Sequence, residues 1–325
     1  MQSQRTNAIH FALFVVFPLL VLAFAASGRE RVRFMPRFSP GEVLRYRIES
    51  RTTTSGTTTT PITNPEGGSQ STQSIHIVVR LDVLSVSPAG EVRLRATYEK
   101  SSSESESDAL DLQASSNADR YNRLEGRSFE FSIEPGGTFA AMPDSAAAPS
   151  GQPADEPVLS WLQGLSAGSG LPQKGVAIGQ KWNTERPLAG ALLSGLLSRT
   201  ESTYLRNEPC RPSALPKVSG TQSTTPPGDC AVILTRFQIL RRGPTHSDAT
   251  PEDYRRNGLR TTGTWTGSGE SLDSISLATG LLVGSTQNSV QNMDYEISSA
   301  STGSSIHHVG KVQAQSEITL MPDQP

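Results

Sequence analysis

Two runs of strict alternation constrain this chain more than any other feature. Ile75, Ile77, Val79, Leu81 and Val83 alternate with His76, Val78, Arg80 and Asp82. Val92, Leu94, Ala96 and Tyr98 then alternate with Arg93, Arg95 and Thr97. Successive side chains of a strand point to opposite faces, so this pattern buries one face and wets the other. Ser87-Pro88-Ala89-Gly90 between the runs supplies the turn. The two runs form an antiparallel hairpin.

The same reading extends along the chain. A strand near Glu42–Thr54 precedes the hairpin, and Thr57–Ser71 reads as a Thr/Gly/Pro loop. Ser101–Asp108 is an acidic, Ser-rich strand end, and Phe129, Phe131 and Ile133 open a hairpin turned at Gly136-Gly137. In the second half, Val232, Leu234 and Phe237 mark a strand-like run, as does Thr261–Ile275. Gly41-Glu42-Val43-Leu44 matches Gly179-Gln180-Lys181-Trp182 as an entry point, and the turn at Gly136 is echoed at Gly280. The expected fold is mainly β: antiparallel curved sheets, a duplicated β unit and one or two short helices in the connector. Only 35% of the residues are hydrophobic and 6% aromatic, which predicts thin cores and long solvated loops rather than a dense α/β enzyme.

The expected division is a leader over 1–26, a first β-rich half over 27–143, a Pro/Gly/Ala-rich connector over 144–178 and a second β-rich half over 179–325. Val158, Leu159, Trp161, Leu162 and Leu165 fall on one helical face in the connector, with Asp155 and Glu156 at the favourable start. A second helix is expected after Pro187 from Leu188, Ala191, Leu192 and Leu196, against the resistance of Gly190 and Gly195.

The leader has the form of an export signal. Arg5 precedes an apolar run from Phe11 to Leu22, broken by Pro18, and small residues follow up to an exit at Ala25 and Ala26. It predicts a secreted or periplasmic chain. Arg29, Arg31, Arg33 and Arg37 lie after the run, which keeps an uncleaved N-terminal membrane anchor as the alternative. The chain has two cysteines, Cys210 and Cys230, flanking a Pro/Ser/Thr/Gly loop. In an oxidising compartment they read as one disulfide, contributing roughly 3 kcal/mol by chain entropy. With 29 basic against 31 acidic residues there is no electrostatic case for nucleic acid.

Leu124-Glu125-Gly126-Arg127-Ser128-Phe129, the Gly136 turn, Gly179-Gln180-Lys181-Trp182 and the stretch from Asp273 to Leu281 resemble the layout of exported bacterial β-rich domains of unknown function. The resemblance covers most of the mature chain. It implies an antiparallel, partly duplicated β fold and carries over no catalytic residue and no ligand.

Motifs for chemistry are sparse. Gly164-Leu165-Ser166-Ala167-Gly168 matches a nucleophile elbow, but its context is helical where a strand should enter, so Ser166 serves only an alternative reading as a serine hydrolase. His76, His246 and the adjacent His307 and His308 form no chelating set, because neighbours on a strand point apart. Glu104, Glu106, Asp108 and Asp111 lack the spacing of a calcium loop. Trp161, Trp182 and Trp265 read as core anchors. No metal and no cofactor is expected. The expected function is a non-catalytic envelope module, binding or structural, for an apolar ligand or an envelope protein partner, meeting a membrane only through an uncleaved leader.

Overall fold

The computed structural model describes residues 31–60, 68–108, 119, 121–135, 139–141, 172, 174–188, 191–210, 228–242, 248–299 and 301–322. Among the described residues eleven strands pair into a single sheet. In chain order they are β1 (Val43–Thr59), β2 (Ser69–Val86), β3 (Val92–Ser107), β4 (Ser128–Ile133), β5 (Phe139–Ala141), β6 (Lys181–Pro187), β7 (Leu196–Pro209), β8 (Asp229–Arg241), β9 (Leu259–Ser276), β10 (Leu282–Ser299) and β11 (Ser305–Leu320). Among the described residues a short helix, α1 (Glu252–Arg256), precedes β9. The fold is mainly antiparallel β, as the alternation predicts, and the curved sheet does not close.

The spatial order is β5-β4-β3-β2-β1-β11-β10-β9-β8-β7-β6. Each half of the chain is therefore a meander. The second half runs back so that its last strand, β11, lies beside the first strand of the chain. Tyr46 opposes Leu320 and Thr59 opposes His307 across this central seam. The six longest strands have 16 to 18 residues, about three times the usual strand length.

The main core covers only one end of one face. Leu44, Tyr46 and Ile48 of β1, Ile77, Val79, Leu81 and Val83 of β2, Leu94, Ala96 and Tyr98 of β3, Tyr204 of β7 and Ile233 of β8 are buried together. The segment before β1 straps this face. Val32 and Val176 exchange backbone hydrogen bonds, the Arg37 N–H donates to the Thr279 carbonyl at 2.7 Å, and Phe34 meets the Tyr204 ring edge-on at 5.5 Å.

The two entry points share one turn. The Glu42 N–H donates to the Ser39 carbonyl, and the Glu42 carboxylate accepts from the Ser39 N–H at 2.8 Å. The Gln180 N–H donates to the Ala177 carbonyl, and the Gln180 side-chain oxygen accepts from the Ala177 N–H at 3.1 Å. Gly41 and Gly179 both take φ 81°, a left-handed value that a Cβ would penalise.

Three expectations need correction. The stretch after Pro187 is not a helix: β6 ends at Pro187, residues 192–195 form bends and turns, and β7 begins at Leu196. Leu188, Ala191, Leu193 and Leu196 instead pack a second small core with Ile239, Phe237 and Trp265. Helical spacing there reflects a tight turn that gathers apolar groups, while Gly195 at φ 75° breaks the helix. The Thr57–Ser71 loop is shorter than expected, since β1 runs to Thr59 and β2 starts at Ser69. Thr-rich sequence favours β structure even where no apolar face supports it. Finally, α1 lies outside any expected helix; its five residues carry acidic groups first and basic groups last. The connector helix around Trp161 and Leu165 lies outside the described residues.

Candidate functional site

Register decides which side chains share a face, because residues directly opposed across a pair point the same way. The face carrying the core is called inner here. A bulge in β3 after Tyr98 keeps Ser101, Ser103, Ser105 and Ser107 on it, opposite Ile77, Ile75, Gln73 and Ser71. Beyond the core, β1 contributes Ser50, Thr52 and Thr54, faced by Ser316, Ala314 and Val312 of β11. The same face continues through Ser285, Gln287, Ser289 and Gln291 of β10, then Asp273, Ser271, Gly269 and Gly267 of β9. Thr235 and Phe237 of β8 and Ser202 and Thr200 of β7 complete it.

Charge is sorted between the two faces. The outer face holds the pairs Arg45–Glu99, Arg80–Asp82, Arg93–Glu130, Arg95–Glu130, Lys181–Glu201 and Arg236–Glu270. Hydrogen bonds from Arg95 and Arg93 hold the Glu130 carboxyl below its ordinary range. On the strands of the inner face, Asp229 stands at the base rim and Arg186, Arg241 and His308 at the far rim. Between those rims Asp273 alone can carry a full charge.

Asp273 sits where the apolar floor gives way to hydroxyls. Its Oδ1 accepts from the Ser285 hydroxyl at 2.6 Å and its Oδ2 from the Ser271 hydroxyl at 3.2 Å. Ile233 opposes it on β8, and Ile275 follows it on the same face. Burial pushes its carboxyl above the ordinary range, against the two serine hydrogen bonds. Neighbouring hydroxyls pair in the same manner: Ser202 with Thr235 at 2.9 Å, Thr184 with Thr200 at 2.5 Å.

Aromatic and sulfur groups occupy the far part of this face. Phe237 lies across Gly269, where an added Cβ would stand 2.5 Å from its ring. Trp265 donates its indole N–H to the Gln291 side chain at 3.0 Å, and Met293 faces Trp265 across the β9–β10 pair. A separate groove of about 630 Å³ opens mainly on the outer face at the far strand ends. It is lined by Ser55, Thr57, Thr264, Asn292, Asp294 and Lys311 among others, a polar set without an aromatic platform.

The residues singled out in the sequence fall as follows. Cys210 and Cys230 form a disulfide that ties the end of β7 to the start of β8. Ser166, His246, Trp161, Asp111 and the exit at Ala25 and Ala26 lie outside the described residues. His307 and His308 point apart: His307 bonds Asp294 at 2.8 Å, while His308 bonds Thr58 at 3.0 Å and stacks on Tyr295. Burial, then the neighbouring His307, lowers the His308 value. Glu104, Glu106 and Asp108 are exposed. Trp182 packs against the main core and Trp265 against the second. Among the described residues no group of three or more His, Cys, Asp or Glu is placed to hold a metal, and no helix is long and apolar enough to cross a membrane. Sequence reasoning gave Asp273 no role. Its even spacing from Ile275 was the signal that it shares the core face.

The fold and this face define a one-sheet antiparallel β protein with a charge-poor inner surface. No family model matches the chain, and no curated protein matches it. It is similar to a DUF1329 family protein from Desulfovibrio piger, a family named only by its unknown function, at 8% identity over 81% of this chain and 83% of that one. The TM-score of 0.13 makes this a loose likeness, in keeping with the low-specificity resemblance in the sequence.

Proposed function

We propose that this chain is an exported, non-catalytic envelope module whose inner face is a contact surface for an apolar or amphipathic ligand. The observation that carries the reading is the sorting of charge. An exposed sheet face in water ordinarily gathers Lys, Glu and Arg, as the outer face does here. The inner face instead offers hydroxyls, amides, Phe237, Trp265 and Met293, which suit a body with few charges. Export is supported by the leader and by the Cys210–Cys230 bond, which belongs to an oxidising compartment. An uncleaved leader would make the same module a membrane-anchored one.

The test is expression of the full chain with its leader, followed by N-terminal sequencing and mass spectrometry of co-purifying small molecules. A start just after Ala26 and a reproducible amphipathic species are the expected results. An intact Met1 start moves the chain to the anchored form. A partner polypeptide with no small molecule overturns the ligand reading.

A further inference from the structure

We infer that Asp273, held by Ser271 and Ser285, anchors the ammonium group of a ligand that lies along the inner face. The inference rests on the inner-face reading above and names the charge of its ligand. Three observations lead to it. Between the rims of this face, where Asp229, Arg186, Arg241 and His308 lie, the carboxylate is the one full charge on the described strands. Its oxygens are fixed by two hydroxyl donors, so both point in a set direction without being neutralised. No Lys, Arg or His forms an ion pair with it among the described residues, and its immediate neighbours on the flanking strands, Ile233 and Thr235 on β8 and Ser285 and Gln287 on β10, carry no charge.

A half-buried carboxylate without a counter-ion is costly to maintain. A ligand cation restores the balance, and an N⁺–H donor at a carboxylate forms one of the stronger hydrogen bonds available to proteins. The position also suits an elongated molecule. From Asp273, the same face of β9 runs through Ser271, Gly269 and Gly267 to Trp265, about 27 Å at the usual rise per residue. The ammonium would sit at the edge of the apolar floor, with the rest of the ligand directed towards Phe237, Trp265 and Met293.

Titration calorimetry of the full mature chain separates this from the parent reading. The probes are n-octylammonium and its uncharged counterpart n-octanol, near neutral pH and at low salt. Octylammonium should bind about tenfold more tightly than octanol, the worth of one charge-assisted contact. Asp273→Asn should reduce octylammonium to the octanol level and leave octanol unchanged, and Asp273→Glu should restore part of the preference. Equal affinity for both probes, unaltered by Asp273→Asn, overturns the anchor and leaves the inner face as a binding surface. Failure of both probes to bind overturns both readings. Circular dichroism of each variant checks that it folds.

Discussion

The two ends of the inner face are built from the same strands on different terms. At the base, Tyr46, Val79, Leu94, Tyr98 and Tyr204 are almost wholly removed from water. Towards the far end, β1 presents Ser50, Thr52 and Thr54, and β11 presents Ser316 and Ala314, each partly exposed. The ladder is unbroken between β1 and β11 across that change. The base is held by burial of apolar surface, and the far end by backbone pairing and cross-strand hydroxyl contacts. A strand can thus be extended well past its core when its neighbours are extended with it, since each added residue pair satisfies backbone donors and acceptors. The extension then exposes a surface free to do something other than hold the fold.

Substitutions along the face should show this gradient. The largest effect is expected at the base. Leu94 is fully buried, and Leu94→Ala should cost about 2–5 kcal/mol in urea denaturation by leaving a cavity among packed strands. A loss under about 1 kcal/mol would mean the base is loosely packed.

An intermediate and pH-dependent effect is expected at the boundary. The Asp273 carboxyl is raised in the folded chain by burial. Its stabilising contribution is therefore fully present below the ordinary value of 3.8 and is lost as pH rises through the raised folded value. Asp273→Asn should accordingly melt at or above the parent temperature near neutral pH, and the gap should shrink as pH falls towards 3.8. A melting difference that does not change with pH would place the carboxyl in a more solvated setting than its neighbours indicate.

The smallest effect is expected at the far end. Thr184→Ala removes one hydroxyl from the Thr184–Thr200 contact and should cost about 0.2–1 kcal/mol in the same urea experiment. A cost equal to that of Leu94→Ala would erase the distinction between the two regions.

Much of the first half was readable. The hairpin of β2 and β3 follows from alternation around Ser87–Gly90, and the strand around Tyr46 from its apolar neighbours. The shared entry turn was visible as Gly-Glu and Gly-Gln pairs, because a left-handed glycine and a side chain that accepts a hydrogen bond are local requirements. The segment after Pro187 misled because four apolar residues near one another satisfy either a helical face or a compact turn, and only contact with Ile239 and Trp265 chooses between them. Strand β11 gave little signal: its inner residues, Val312, Ala314 and Ser316, are too small and mixed to alternate clearly.

By itself the sequence determined the strand-rich class, the turn at Ser87–Gly90, the paired entry turns and the pairing of the two cysteines. These depend on period, on glycine conformation and on the count of thiols, all of which are local or arithmetical. The tertiary structure decided three further things: that both meanders join through β1 and β11 into one sheet, that charge is concentrated on the outer face and the rims of the inner one, and that Asp273 lies alone among uncharged neighbours. The physical reason is the same in each case. Which strands pair, and in what register, depends on hydrogen bonding between residues more than two hundred positions apart, as at Tyr46 and Leu320, and a one-residue slip would send every side chain of a strand to the opposite face.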